Sequence, residues 1–301
     1  MAAYAGAVGR WLAAPVVAAA VALAGPAAAQ DDDRVTRGAY LVRAAGCIAC
    51  HTVPQGGAPL AGGRALATPF GTYYSPNITP DPETGIGRWS DADFLRALRD
   101  GVGPDGGHYF PVFPFTSYTR MRDGDILAVK AWLFSQPAVR QPRRPHDVPP
   151  PFSWRWTMWF WKLLFFEPGA FEPEPDRDET WNRGAYLVNA LAHCGECHTP
   201  RNVFGAMRSS LFLAGTTEGP DGELVPNITP DAATGIGDWS TGDIATLLRD
   251  GLKPDFDDVQ GSMAEAIEDG LAYLDAGDLE AIARYIASVP AISNRIERKR
   301  R

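Results

Sequence analysis

The sequence predicts an all-α protein made of two similar helical halves with long loops. Three observations carry this expectation: an internal repeat, apolar residues at helical spacing between matched start and stop signals, and abundant glycine and proline. The 301 residues include 31 glycines and 26 prolines, roughly one residue in five against about 12% in average usage. Short elements on long loops follow, and the lack of repeated β-branched runs argues against a sandwich or a doubly wound sheet. With 45% apolar side chains the chain can bury a sizeable core. Its 28 basic and 36 acidic residues give a net charge of −8, the wrong sign for a nucleic-acid partner.

In chain order, residues 1–29 read as a cleavable signal peptide. There is one early cation at Arg10, an apolar run from Trp11 to Leu23, and small residues at Ala27-Ala28-Ala29. The run falls short of the ~20 residues that span a bilayer, and Pro15 and Gly25 interrupt it. Export to the periplasm is the expected consequence.

Each half then begins with the same helix, Arg37-Gly38-Ala39-Tyr40-Leu41-Val42 and Arg183-Gly184-Ala185-Tyr186-Leu187-Val188. Each helix leads into Cys-x-x-Cys-His, as Cys47-Ile48-Ala49-Cys50-His51 and Cys194-Gly195-Glu196-Cys197-His198. That order is the attachment signature of c-type haem. Two thiols add across the two vinyl groups of one haem, and the tether brings the next imidazole beneath the iron. A zinc site would place its two cysteine pairs about 15–20 residues apart, and these lie in opposite halves. A thioredoxin-like redox pair has no need of the histidine. The expected cofactors are therefore two covalently bound haem c groups, attached through Cys47, Cys50, Cys194 and Cys197, with His51 and His198 as iron ligands. Attachment uses all four cysteines, which leaves none for a disulfide or a cysteine-ligated catalytic haem.

A long block follows in each half, Asn77 to Gly101 and Asn227 to Gly251, and the two align without a gap. Ser90 with Asp93, and Ser240 with Asp243, predict a capped helix that stops at Gly101 or Gly251. A last helix is predicted from about Asp123 to Phe134 and from about Ala276 to Ser288, with Ile126, Val129 and Leu133, or Leu279, Ile282 and Ile286, on its buried side. Gly38 and Gly184 leave room for a close crossing against Trp132 and Tyr285. Trp89 and Trp239 suit either a core position or an indole reaching a haem propionate. The expected boundaries are a first domain over 30–138, a connector over 139–180, a second domain over 181–292 and a basic tail over 293–301.

The connector is rich in proline and arginine from Pro137 to Pro151, and then gathers Trp154, Trp156, Trp159, Trp161, Leu163, Leu164, Phe165 and Phe166. It reads first as a helix buried between the two halves. The second reading is a docking surface for a dehydrogenase or for the membrane interface, where tryptophan is enriched.

Taken together, the Arg-Gly-x-Tyr-Leu helices, the Cys-x-x-Cys-His motifs and the Asn-Ile-Thr-Pro-Asp…Thr-Gly-Ile-Gly-x-Trp-Ser blocks resemble the multihaem cytochrome c subunits of membrane-bound alcohol, gluconate and related dehydrogenases. The resemblance runs from about Arg37 to Pro290. It implies two tandem class I cytochrome c domains that pass electrons from a periplasmic dehydrogenase toward the respiratory chain. The sequence departs from that family in having two haem motifs where three are usual. In the class I pattern a methionine before the last helix is the sixth iron ligand, which implies Met263 for the second haem. Its counterpart in the first half is Phe113, which cannot bind iron. Met121 or His108 then takes that place, or the first iron stays open. An electron carrier is the leading expectation. The alternative is a dihaem enzyme, peroxidase-like or thiosulfate-oxidising, that works at an open first haem. Beyond His51 and His198 the only histidines are His108, His146 and His193, and no nucleophile or acid–base constellation accompanies them.

Overall fold

The computed structural model describes residues 26–297. The expected signal peptide lies outside the described residues as far as residue 25, as do residues 298–301 of the basic tail. The first half contains α1 (Pro26–Ala44), α2 (Cys47–His51), a hairpin of β1 (Ala65–Thr68) and β2 (Gly71–Tyr74), then α3 (Asp91–Asp100), α4 (Phe115–Tyr118) and α5 (Asp123–Phe134). The connector carries α6 (Thr157–Phe165). The second half contains α7 (Glu179–Tyr186), which runs on as a π-helical turn over Leu187–Leu191, then α8 (Gly195–His198), α9 (Thr241–Asp250), α10 (Gly261–Asp269) and α11 (Ala276–Ser288).

Local chemistry accounts for the matched elements. Ser90 Oγ accepts from the Asp93 amide at 3.1 Å while the Asp93 carboxylate accepts from the Ser90 amide at 3.1 Å, and Ser240 with Asp243 repeats this exchange. Both helices end in a left-handed glycine, Gly101 at φ 60° and Gly251 at φ 74°. In each half the first helix crosses the last so closely that only glycine fits. A Cβ on Gly38 would lie 2.0 Å from the Ala128 carbonyl oxygen, and one on Gly184 would lie 1.9 Å from that of Ala281. Ile126, Val129, Leu133, Leu279, Ile282 and Ile286 are all buried, and the buried side chains of both halves join in one continuous core.

The β1–β2 hairpin departs from the all-α expectation. Its strands pair antiparallel with Ala65 opposite Tyr74. The sequence of β1, Ala-Leu-Ala-Thr, offers no β-branched alternation to announce it. The hairpin is held from outside: Tyr73 packs against Phe110 and Val148, and Thr72 exchanges backbone hydrogen bonds of 2.8 Å with Asp147 of the connector.

A reciprocal contact joins the halves. Asp125 accepts from Arg37 Nε at 2.7 Å within its own half and from the Tyr186 hydroxyl of the other half at 2.6 Å. Asp278 in turn accepts from Arg183 Nε at 2.8 Å and from the Tyr40 hydroxyl across the junction at 2.5 Å. Each half thus lends its first-helix tyrosine to its neighbour's last helix. Burial works to raise the Asp278 pKa, but the bonds from Arg183 and Tyr40 outweigh it and hold the carboxyl below its ordinary value.

The connector helix does not lie buried between the halves. Among its residues only Trp161 is buried, while Trp156 before it and Trp159, Phe160, Leu163 and Leu164 within it are exposed. The two halves pack directly on each other, with α4 against the π-helical turn and α10 against α2, so no space is left for it there.

Two stability tests follow from this packing. Gly38→Ala should cost about 3 kcal/mol, because a main-chain carbonyl cannot step aside, whereas Gly124→Ala, with nothing within 4 Å of its new Cβ, should be neutral or stabilising; urea unfolding followed by circular dichroism reads both. Asp278→Asn should cost about 2 kcal/mol at neutral pH. A depressed carboxyl contributes stability that is complete above the unfolded pKa and is lost as pH falls through the folded one, so the gap between parent and variant should close below about pH 4.

Candidate haem attachment sites

Both motifs leave their first helix through a left-handed residue, Gly46 at φ 63° and His193 at φ 37°. The turn leads into a short helix, α2 or α8, with the histidine at its end; Cys47 and Cys50 lie on α2, and Cys197 lies on α8 with Cys194 at its N-cap. Burial pushes the Cys47 and Cys194 thiols up to about 12, and the motif partner's charge adds to each rise. This is the reverse of the depressed thiolate of a redox-exchange cysteine.

The two imidazoles are held alike. His51 Nδ1 lies 2.8 Å from the Pro76 carbonyl oxygen, and His198 Nδ1 lies 2.9 Å from that of Pro226. Burial lowers both pKa values, against a smaller opposing effect of the carbonyl, so the rings are neutral. A carbonyl on Nδ1 requires the proton there and leaves the Nε2 lone pair for a metal. Two thiols and one neutral, oriented imidazole at a short helix are the donor set that c-type haem requires.

The repeated block supplies the rigidity of those carbonyls. Asn77 follows Pro76, and its Nδ2 donates to Thr84 Oγ1 at 3.1 Å and to the Val139 carbonyl at 2.7 Å, while its Oδ1 accepts from the Thr79 amide at 2.9 Å. Asn227 makes the same bonds to Thr234, Ile292 and Thr229 at 3.0, 2.7 and 2.9 Å. The chain leaving the last helix is thereby tied to the loop that orients the histidine. Sequence reasoning missed Pro76, Pro226, Asn77 and Asn227 as positioning residues. The available signal was that the gapless alignment extends one residue upstream, from the asparagines to the prolines.

The motifs meet at the junction between halves. Burial pushes the Cys197 thiol up to about 11, Glu196 adds to the rise, and the charge of Cys50 from the opposite motif is close enough to add to it as well. Glu196 accepts from Thr116 Oγ1 at 2.6 Å and from Ser117 Oγ at 2.8 Å, both on α4, and pairs with Arg201. The Tyr118 hydroxyl donates to the Ala45 carbonyl at 2.6 Å, and its ring meets the His193 ring edge-on at 5.5 Å. Arg64, which donates to the Ala49 carbonyl at 2.8 Å, forms an ion pair with Glu265 of α10. Thr116, Ser117, Tyr118, Arg201, Arg64 and Glu265 carried no signal of this role in the sequence.

The sixth-ligand candidates occupy different settings. Met263 is half-buried in the first turn of α10, in place of the expected loop, and Glu223 accepts from Ser262 Oγ at 2.6 Å at that turn. Met121 is buried in the core, its carbonyl accepting from Arg99 Nη2 at 2.7 Å. Phe113 meets Tyr109 edge-on at 5.5 Å and Tyr118 at a tilt at 5.6 Å. His108 stands apart from that core: its Nδ1 is 3.0 Å from Lys162 Nζ, and burial together with the Lys162 and Arg155 charges lowers its pKa. His146 Nδ1 accepts from the Tyr74 amide at 3.1 Å. Trp89 and Trp239 pack against the core.

A helical fold that presents paired thiols and an oriented imidazole defines a haem-binding protein, and comparison with known proteins makes this specific. Residues 35–137 match the cytochrome c family model. The chain is 42% identical over 293 residues to a dihaem c-type cytochrome of Cereibacter sphaeroides, covering 96% of this chain and 95% of that one. It is 40% identical over 269 residues to the cytochrome c subunit of gluconate 2-dehydrogenase from Pantoea cypripedii, covering 87% of this chain and 60% of that one. Against the cytochrome subunit of fructose dehydrogenase from Gluconobacter japonicus it is 42% identical over 259 residues, covering 85% and 53%. The chain thus spans nearly all of the first relative and a little over half of the other two. It belongs to the cytochrome c family and carries covalently bound haem c.

Removing the asparagine clasp tests its role. Asn77→Ala leaves the Thr79 amide without its partner and the Val139 carbonyl with only the longer bond from Thr79 Oγ1 at 3.3 Å, and should destabilise the protein by about 2 kcal/mol, read as a lower urea midpoint. Asn77→Asp, which keeps the acceptor and loses the donor, should fall between parent and alanine variant.

Proposed function

We propose that the chain is an exported, periplasmic electron carrier with two haem c groups, which accepts electrons from a dehydrogenase and passes them toward the respiratory chain. The two class I cytochrome c domains occupy 30–138 and 181–292 and are joined by the connector 139–180. One observation carries the reading: the same imidazole, with Nδ1 on a proline carbonyl, follows two thiols in both halves. When bound, haem supplies a one-electron couple between ferric and ferrous iron. Cys47 and Cys50 tether the first group and Cys194 and Cys197 the second, while His51 and His198 offer Nε2 to the irons.

Met263 would supply the thioether to the iron of the second haem. Met121 serves the first, supported by its burial in the core that also takes in Cys47 and by the Arg99 bonds to the Thr119 and Met121 carbonyls at 2.6 and 2.7 Å. The alternative, His108, is engaged with Lys162 outside that core. Both motifs abut one junction, so electrons can cross between the groups within the chain. The dehydrogenase donor is supported by relatives that are named as cytochrome subunits of gluconate, fructose and alcohol dehydrogenases.

Acid–acetone extraction should leave the colour with the protein, and the haem content should be two per chain. Cys47→Ala and Cys194→Ala should each remove one haem. Magnetic resonance of the ferric protein should show two methionine-ligated irons, with one lost in Met263→Ala and the other in Met121→Ala. If the reduced protein binds carbon monoxide rapidly and the ferric protein turns over peroxide, the first iron is open and the enzyme reading replaces the carrier.

A further inference from the structure

Helix α6 is amphipathic in the wrong sense for a soluble surface. Trp156 at its N-cap and Trp159, Phe160, Leu163 and Leu164 recur at the spacing of one helical face, and that face points to solvent: Trp156 is 60% exposed, and Leu163 and Leu164 are each 71% exposed. The orientation is fixed from the inner side. Trp161 Nε1 donates to the Phe204 carbonyl at 2.8 Å, and Lys162 Nζ donates to the Gly101 carbonyl at 2.8 Å, where the C-terminal end of α3 favours a cation. Turning the apolar face inward would expose Trp161 and break both bonds. The patch continues on both sides, through the stacked Trp154 at 5.9 Å from Trp156 and through Phe204, 62% exposed and stacked on Phe165 at 5.8 Å.

We propose that this face docks the protein on an anionic lipid surface. Two observations select lipid as the occupant. The first is charge. In a chain of net −8, residues 140–164 carry five cations against the single acid Asp147; Arg140 and Arg155 pair with Glu83 and Asp105 and Lys162 turns inward, so Arg143 and Arg144 are the cations offered to an outside partner. Arg143 and Arg144 are exposed, and Arg143 is close enough to Arg155 that both charges act on Tyr109 and His146. Cations beside an apolar patch complement acidic headgroups, at about 1 kcal/mol each, whereas a second copy of this acidic chain would be repelled. The second is residue type. Tryptophan, with an apolar ring and one N–H, concentrates where hydrocarbon meets headgroup. The helix has nine residues, too few to cross a bilayer, and no helix among the described residues is long and apolar enough to do so. It therefore lies in the plane of the interface. This inference does not rest on the electron-carrier reading.

The test is co-sedimentation of the haem-loaded, full exported chain with vesicles of phosphatidylcholine alone or mixed with phosphatidylglycerol. The mixed vesicles should pellet the protein and shift tryptophan emission to the blue, and added salt should weaken both effects. Leu163→Asp/Leu164→Asp should weaken binding about tenfold or more, and Arg143→Glu/Arg144→Glu should weaken it about tenfold on the mixed vesicles alone. The four side chains are exposed, so the haem spectrum and circular dichroism of both variants should match the parent. Failure to pellet with either vesicle, or binding that both variants retain, overturns the proposal. So does a dimer in analytical ultracentrifugation that Leu163→Asp/Leu164→Asp dissociates in the absence of lipid binding, which would give the face to a second copy.

Discussion

A buried imidazole that is to offer Nε2 to iron must have the proton on its other nitrogen satisfied by a partner that does not move. In this chain that partner is a main-chain carbonyl, of Pro76 for His51 and of Pro226 for His198. A carbonyl on a long loop is a poor anchor unless the loop is itself tied down. The asparagine after each proline does this by bridging to a threonine seven residues on and to the chain that leaves the last helix. The last helix is positioned in turn by its glycine-tight crossing with the first helix, from whose end the cysteines follow. Histidine, loop, last helix and first helix thus form a closed circuit, and a change at any point of it reaches the imidazole.

The circuit occurs twice, and the copies are coupled across the junction. Each last helix presents an aspartate, held by an arginine of its own half, to a tyrosine hydroxyl of the other. A carboxylate so placed has its Coulombic partner at home and one hydrogen bond abroad. The cost of taking the charge from water is met within the half, and the crossing bond adds register between halves. The junction also assembles Glu196, Thr116, Ser117, Tyr118 and His193 beside both motifs. The same surface that aligns the halves therefore brings the attachment sites together.

Much of this was legible in the sequence, for physical reasons. A capping box with a glycine stop specifies a helix locally, so both ends of α3 and α9 were readable. The Cys-x-x-Cys-His order is dictated by covalent chemistry, so those six residues needed no tertiary information. The spacing of Ile126, Val129 and Leu133, and of their counterparts, marks a buried face in any helix. What escaped depends on distant partners. The β1–β2 hairpin is stabilised by Tyr73, Phe110 and Val148 and not by strand propensity. Glu196 reads as a surface acid until Thr116, Ser117 and Arg201 are seen around it. The aromatic run of the connector suits either a buried helix or a docking surface, and the Trp161 and Lys162 contacts reveal that its apolar stripe faces out.

The repeat continues past Gly101 and Gly251 through the matched Val102–His108 and Leu252–Asp258 bridges and then diverges, and one arginine has different partners in the two halves. Arg99 donates to the Thr119 and Met121 carbonyls and pairs with Asp123, fixing the path between α4 and α5. Its counterpart Arg249 turns to its neighbour Asp250 and, among the described residues, bonds no carbonyl further along the chain. The corresponding stretch of the second half is then free to wind into α10, capped by Glu223 and anchored to the first half through Glu265 and Arg64. Met263 rides on that helix, whereas the equivalent position in the first half is Phe113, locked among aromatic rings. Two halves with matched thiols and imidazoles therefore present different side chains at these equivalent positions. The two stretches differ in sequence and in the carbonyls an arginine reaches, while the order of the attachment motif is the same in both halves.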